Sequence, residues 1–188
     1  MVAVGQKVKR AVFLDRDGVI NKAFLVNGIP KPARTLYQVQ LLPQVREAVE
    51  ILCSSGFELV VVSNQPDVAR GNLAKADVEQ IHKHLQTELK INHFYTCFHD
   101  DADNCQCRKP KPGLLTLAAE ELSLDLNRSF LIGDRWRDIG AGQAVGCRCF
   151  FIDYSYGEKH PRMPFLRVSS LFEAAHIILE ENHDTNGK

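Results

Sequence analysis

Four short apolar runs punctuate the chain: Ala11 to Leu14 before Asp15, Leu59 to Val62 before Ser63, Phe130 to Ile132 before Gly133 and Asp134, and Cys149 to Ile152. They are continuous rather than alternating, as expected of strands buried on both faces. The segments between them keep a helical period. Val45, Ala48, Val49 and Leu52 make one stripe, Val78, Ile81, Leu85 and Leu89 a second, and Leu114, Leu117, Ala118 and Leu122 a third; residues three and four apart share one face of a helix. Ser169 to Glu181 reads as an amphipathic closing helix, and 182–188 as a polar, frayed tail.

Pro43 and Pro112 suit first turns of helices, and Gly56 and Gly146 suit helix exits. Strand alternating with helix predicts an α/β fold built on a doubly wound parallel sheet covered on both faces. A length of 188 residues without internal repeats suits one domain over 1–188, with its core over roughly 10–181. Ligands of such sheets sit beyond the carboxyl ends of the strands. Asp15, Ser63 and Asp134 each follow an apolar run closely, so the three should converge on one crevice.

Charge narrows the partners. Lys plus Arg equals Asp plus Glu at 23 each, so no net field draws the chain to nucleic acid or an anionic membrane. The expected partner is a small phosphorylated metabolite, and the expected state a monomer. The first residues, MVAVGQKVKR, lack the apolar stretch of a secretory signal, and no run reaches the roughly 18 apolar residues of a membrane span, which predicts a cytoplasmic location.

The chemistry concentrates in acids at predicted strand ends. Asp15 and Asp17 stand two residues apart, and Gly18 allows a tight turn that lets both face one site. Asp134 and Asp138 form a second pair, hard oxygen donors suited to Mg2+. Phosphate-ester hydrolysis needs a nucleophile, a proton donor for the leaving oxygen and cations against the spread charge. The plainer alternatives are surface acids on a loop, or a calcium loop of the EF-hand type. The latter wants Gly sixth and Glu twelfth, whereas Gly18 is fourth and Val26 twelfth.

The ordered set Asp15-Arg16-Asp17-Gly18, Ser63, Lys109 and Gly133-Asp134 with Asp138 resembles the four motifs of the haloacid dehalogenase superfamily of phosphotransferases, over nearly the whole chain. The resemblance implies that Asp15 forms an aspartyl-phosphate and that Asp17 protonates the leaving alcohol and then activates water. Ser63 and Lys109 would hold the phosphoryl oxygens. Mg2+ would sit between Asp15, the Asp17 carbonyl and Asp134, with Asp138 behind them.

Cys97, His99, Cys105 and Cys107 bring three thiols and one imidazole into eleven residues, the number and type of ligands in a closed zinc site. The alternative is a set of unrelated core cysteines. A structural Zn2+ would fix the polar loop between them and the backbone of Arg108 and Lys109. Cys53, Cys147 and Cys149 are expected to be reduced, small apolar residues. The spacing Cys-x-His with Cys-x-Cys-Arg-Lys-Pro narrows the resemblance to the subgroup holding bacterial heptose bisphosphate phosphatases and histidinol phosphatases.

That subgroup implies D-glycero-D-manno-heptose 1,7-bisphosphate as the substrate, dephosphorylated at position 7, with histidinol phosphate as the alternative. A zinc-stapled binding module without catalysis is the alternative of another class. Arg70 and Arg108 are candidates for a second anionic group, and Asn21 and Asn64 for sugar hydroxyls or for orienting Asp17. Pro66-Asp67 and Trp136 depart from the subgroup's pattern, and the loop from His99 to Cys105 is shorter than in many heptose enzymes. No long insertion separates Asn21 from Pro43, so no large cap domain is expected. His82 and His84, at the edge of the second helical stripe, receive no role, and Tyr154 and Tyr156 are expected near the mouth.

Overall fold

The computed structural model describes the backbone of residues 8–186 and the side chains of residues 8–182. Its main sheet has six strands, all parallel: β1 (Ala11–Leu14), β4 (Glu58–Asn64), β5 (His93–Cys97), β6 (Phe130–Gly133), β7 (Arg148–Ile152) and β8 (Leu166–Val168), in the order β5-β4-β1-β6-β7-β8. All four residues of β1 are fully buried, as the unbroken apolar run requires. Their side chains alternate between two cores. Val12 and Leu14 meet α1 (Val45–Ser54), α2 (Lys75–Leu89) and α5 (Leu171–Asn186), whereas Ala11 and Phe13 meet α3 (Gly113–Leu122) and α4 (Trp136–Ala144). The sheet is therefore doubly wound, and the strand path departs in opposite directions on the two sides of β1.

The first two helical stripes are buried as predicted. In α3 the buried residues are Leu114, Leu115 and Ala118, whereas Leu117 is exposed. At roughly 100° per residue Leu117 lies about 110° from the centre of that stripe, so apolar identity alone misplaced it. Gly56 and Gly146 leave α1 and α4 with φ of 81° and 78°, a conformation that costs glycine nothing. Pro43 and Pro112 stand just before α1 and α3 rather than inside their first turns. The closing helix runs on to Asn186, beyond the expected start of the tail at 182, and residues 187–188 lie outside the described residues.

Four strands escaped the sequence pattern. β5 and β8 flank the sheet as its edges. A separate antiparallel hairpin, β2 (Phe24–Val26) and β3 (Ile29–Lys31), fills the stretch after Asn21. Its turn is Asn27-Gly28, both at positive φ, the pair that a two-residue hairpin turn favours. Among the described residues no helix is long and apolar enough to cross a membrane.

Candidate active site

The chain leaves β1 through a tight turn. Gly18 donates its N–H to the Asn21 carbonyl at 2.7 Å, and the N–H groups of Ile20 and Asn21 both reach the Arg16 carbonyl. Gly18 has φ of 97°, and a Cβ there would stand 1.9 Å from Asp134 Oδ2. Glycine is thus required twice, for the turn and for the close approach of that turn to Asp134, which follows β6.

Three carboxylates, Asp15, Asp134 and Asp138, are buried with oxygens within 4.8 Å of one another. Lys109 Nζ joins two of them, at 2.7 Å from Asp15 Oδ1 and 2.6 Å from Asp138 Oδ1, and donates to the Val62 carbonyl at 2.6 Å. Burial raises the Asp15 carboxyl to about 6 against the opposing pull of Lys109. Burial also pushes Asp134 well above the carboxylate range, helped by Asp15 and Asp138. For Lys109 burial works against the charge, but Asp138 and Asp15 outweigh it and raise the amine. Tyr156 donates to Asp134 Oδ2 at 2.8 Å, and Asp134 Oδ1 has no partner. Three buried acids, two of them sharing one lysine, all with hard oxygens and one oxygen of the third orphaned, fit a small divalent cation such as Mg2+. The side chain joining Asp15 and Asp134 is that of Asp138, not Asp17.

The Asp17 carboxylate turns elsewhere. Its Oδ1 accepts from Asn21 Nδ2 at 2.9 Å and the Ala33 N–H at 3.2 Å; its Oδ2 accepts from Arg16 Nε at 2.9 Å and Gln65 Nε2 at 3.0 Å, with Arg16 Nη2 at 2.8 Å. Asn21 thus orients Asp17. Gln65 also donates to Ser63 Oγ at 2.8 Å, which leaves the Ser63 hydroxyl proton free to point outward. Ser63 lies inside β4, whose ladder continues through Asn64. Asn64 exchanges two bonds with the Lys109 backbone, at 3.0 and 3.1 Å, and so locks the segment that delivers the lysine.

The open cleft above these groups is lined by Asp15, Asp17, Ser63 and Lys109, with Lys31 of the hairpin, Arg135 and Arg137 around them. Arg70 and Arg108 do not line it. Arg70 grips Asp100 through Nε and Nη2 at 2.8 and 2.6 Å. Asp101 lies between two guanidiniums, 2.9 Å from Arg108 Nε and 3.0 Å from Arg137 Nη1. Sequence spacing could not show that the acids of the Cys/His loop would claim these arginines. Lys31 stands in no motif, and Arg137, although it lies between Asp134 and Asp138, gave no sign in sequence of facing the cleft. Tyr154 and Tyr156 pack against each other, Tyr156 on Asp134, with ring centroids 5.5 Å apart and planes tilted by 31°. His84 is exposed, but His82 is not the idle residue its sequence suggests, for its Nε2 stands 3.1 Å from Arg16 Nη1.

The Cys97, His99, Cys105 and Cys107 side chains also converge. Cys97 Sγ lies 3.6 Å from Cys105 Sγ and 3.2 Å from Cys107 Sγ, and His99 Nδ1 lies 3.3 Å from Cys107 Sγ. Four ligands around one Zn2+ at about 2.3 Å would stand roughly 3.8 Å apart, so the donors are gathered almost to that shape. Cys147 and Cys149 are buried free thiols, whereas Cys53 is exposed.

Comparison with known proteins places these features in a lineage. Residues 32–146 match a family profile described as a haloacid dehalogenase-like hydrolase. D-glycero-alpha-D-manno-heptose-1,7-bisphosphate 7-phosphatase of Photorhabdus laumondii is 30% identical over 185 residues, covering 92% of this chain and 97% of that protein. The D-glycero-beta-D-manno-heptose-1,7-bisphosphate 7-phosphatase of Pasteurella multocida is 34% identical over 149 residues, 73% of this chain and 78% of its own length. Among solved structures, D,D-heptose 1,7-bisphosphate phosphatase from B. bronchiseptica, complexed with magnesium and phosphate, superposes with a TM-score of 0.80 at 25% identity, covering 92% of this chain and 99% of that one.

Proposed function

Because the chain belongs to the haloacid dehalogenase-like hydrolases and is a Mg2+-dependent phosphatase of that family, we propose that it removes the 7-phosphate of D-glycero-D-manno-heptose 1,7-bisphosphate. The observation that carries the chemistry is the buried Asp15–Lys109–Asp138 array with Asp134 beside it, next to a separately held Asp17. The sugar rests on the relatives, one a phosphatase of the alpha anomer of this bisphosphate and the other of the beta anomer.

Asp15 attacks phosphorus in line with the leaving alcohol, forming an aspartyl-phosphate as the phosphorus–oxygen bond to the sugar breaks. Asp17 gives the departing oxygen a proton, then takes one from the water that attacks the aspartyl-phosphate, which restores Asp15 and releases phosphate. The Ser63 hydroxyl donates to one phosphoryl oxygen, since Gln65 occupies its lone pair, and Lys109 faces another. Asp15, Asp134 and the Asp17 carbonyl would hold the Mg2+, with Asp138 as the link to Lys109. When bound, the ion would neutralise charge on the transferring group. Lys31 and Arg137 are assigned to the second phosphate, Arg108 reaching Arg137 through Asp101. A Zn2+ on Cys97, His99, Cys105 and Cys107 would hold the loop that leads into Arg108 and Lys109.

The chain acts in this reading as a single domain on a small metabolite in the cytoplasm. A kinetic screen of phosphate monoesters with Mg2+ tests it. The highest kcat/KM is expected on the heptose bisphosphate, and a highest value on histidinol phosphate would replace this substrate.

A further inference from the structure

Arg16, the residue between the two acids of the first motif, is fully buried. A guanidinium only donates, and in a dry interior each donor left without an acceptor is costly. Two of its nitrogens, Nε and Nη2, face one oxygen of Asp17. The third, Nη1, points away from that carboxylate toward α2, where His82 Nε2 lies at 3.1 Å. Arg16 cannot accept, so Nε2 must carry the lone pair, and the ring is neutral with its proton on Nδ1. The imidazole is held in turn, stacked on Phe94 of β5 at 5.1 Å between centroids and 28° between planes. Burial and the neighbouring Arg16 charge keep the ring in its neutral form, lowering it to about 4.

We propose that His82 is a positioning residue for the reaction: its Nε2 anchors the Arg16 guanidinium, and Arg16 in turn fixes the direction of the Asp17 carboxylate. Without an acceptor at that point, Nη1 is orphaned and the guanidinium turns toward another acceptor, which releases Asp17 Oδ2. Asn21, Gln65 and the Ala33 N–H still hold the carboxylate, so Asp17 is loosened rather than lost.

The proposal rests on Asp17 being the acid that protonates the leaving oxygen, and the test separates the two ideas. His82→Leu removes the acceptor, and His82→Gln keeps one near the same place. Each is assayed with Mg2+ on a sugar phosphate, whose alkoxide leaves only with a proton, and on p-nitrophenyl phosphate, whose leaving group needs none. We expect kcat/KM of His82→Leu to fall on the order of tenfold or more on the sugar phosphate and less than about threefold on the aryl ester, because general acid catalysis contributes about 100-fold or more where a proton is needed. His82→Gln should recover most of the loss. In an Asp17→Asn background His82→Leu should cost almost nothing further. Nitrogen-15 NMR of the histidine-labelled protein should show an unprotonated Nε2 at neutral pH. Equal losses on both esters, no recovery by His82→Gln, or a protonated Nε2 would overturn the proposal. If Asp17→Asn itself spares the sugar phosphate, the assignment of Asp17 fails instead.

Discussion

The close approach of Gly18 to Asp134 gives a prediction whose size follows from the coordinates. In Gly18→Ala the new Cβ would lie 1.9 Å from Asp134 Oδ2 and 2.4 Å from its Cγ. Restoring ordinary contact means moving the carboxylate by about 1.5 Å, and a displacement near 1 Å in a reacting constellation costs on the order of 100-fold in rate. The backbone adds its own penalty, because φ of 97° is a region an L side chain avoids, worth about 1–3 kcal/mol. Gly56→Ala separates the two effects, since Gly56 also has positive φ, 81°, but nothing lies within 4 Å of its Cβ position. Both variants should lose several degrees in Tm, at about 2–4 °C per kcal/mol for a chain of this length. Gly18→Ala alone should lose about 100-fold or more of Mg2+-dependent phosphate release and need more Mg2+ for half-maximal rate. If Gly18→Ala keeps a third of the rate at the wild-type Mg2+ requirement, the close packing of the first and fourth motifs does not set the metal site.

Lys109→Met leaves Asp15 and Asp138 facing each other without their shared cation, so denaturant titration of the metal-free protein should show a loss of about 3–5 kcal/mol, the cost of breaking a buried pair, and turnover should vanish. Elemental analysis should find about one zinc per chain, and Cys105→Ser should lose it together with several degrees in Tm while retaining more activity than any change at Asp15. His82 gives a pH dependence with a definite sign. Its folded value of about 4 lies below its ordinary 6.5, so between those values the unfolded chain binds the extra proton. Its contribution is complete above pH 6.5 and is lost as pH falls toward 4, by about 3 kcal/mol in all. Urea titrations at pH 7.5 and 5 should therefore show a smaller loss for His82→Gln than for the wild type.

The residues legible in sequence were those whose local context decides their place. A short unbroken β-branched or aromatic run such as Ala11–Leu14, bounded by polar residues, fits a doubly buried strand, and in a parallel sheet an acid just past its end lies by the crevice. The thiols and imidazole were legible because four ligands of one chemistry fell within eleven residues. The hairpin was within reach too, since Asn27-Gly28 between apolar residues is a hairpin signal, but runs of three residues carry too little periodicity to register. What stayed hidden depends on partners distant in sequence. Arg16 and His82 are 66 residues apart, and nothing in either neighbourhood announces the other. Likewise Arg70 and Arg108 look like free anion binders until folding brings Asp100 and Asp101 to them.

The central claim is that Asp15 is the nucleophile, and trapping its covalent intermediate tests it most directly. Acid-quenched turnover of a phosphate-labelled substrate with Mg2+, followed by peptide mass spectrometry, should place one hydroxylamine-labile phosphoryl group on the peptide that carries Asp15, and Asp15→Asn should abolish both the label and turnover. A phosphoryl group on another residue, or turnover that persists in Asp15→Asn, would contradict the account.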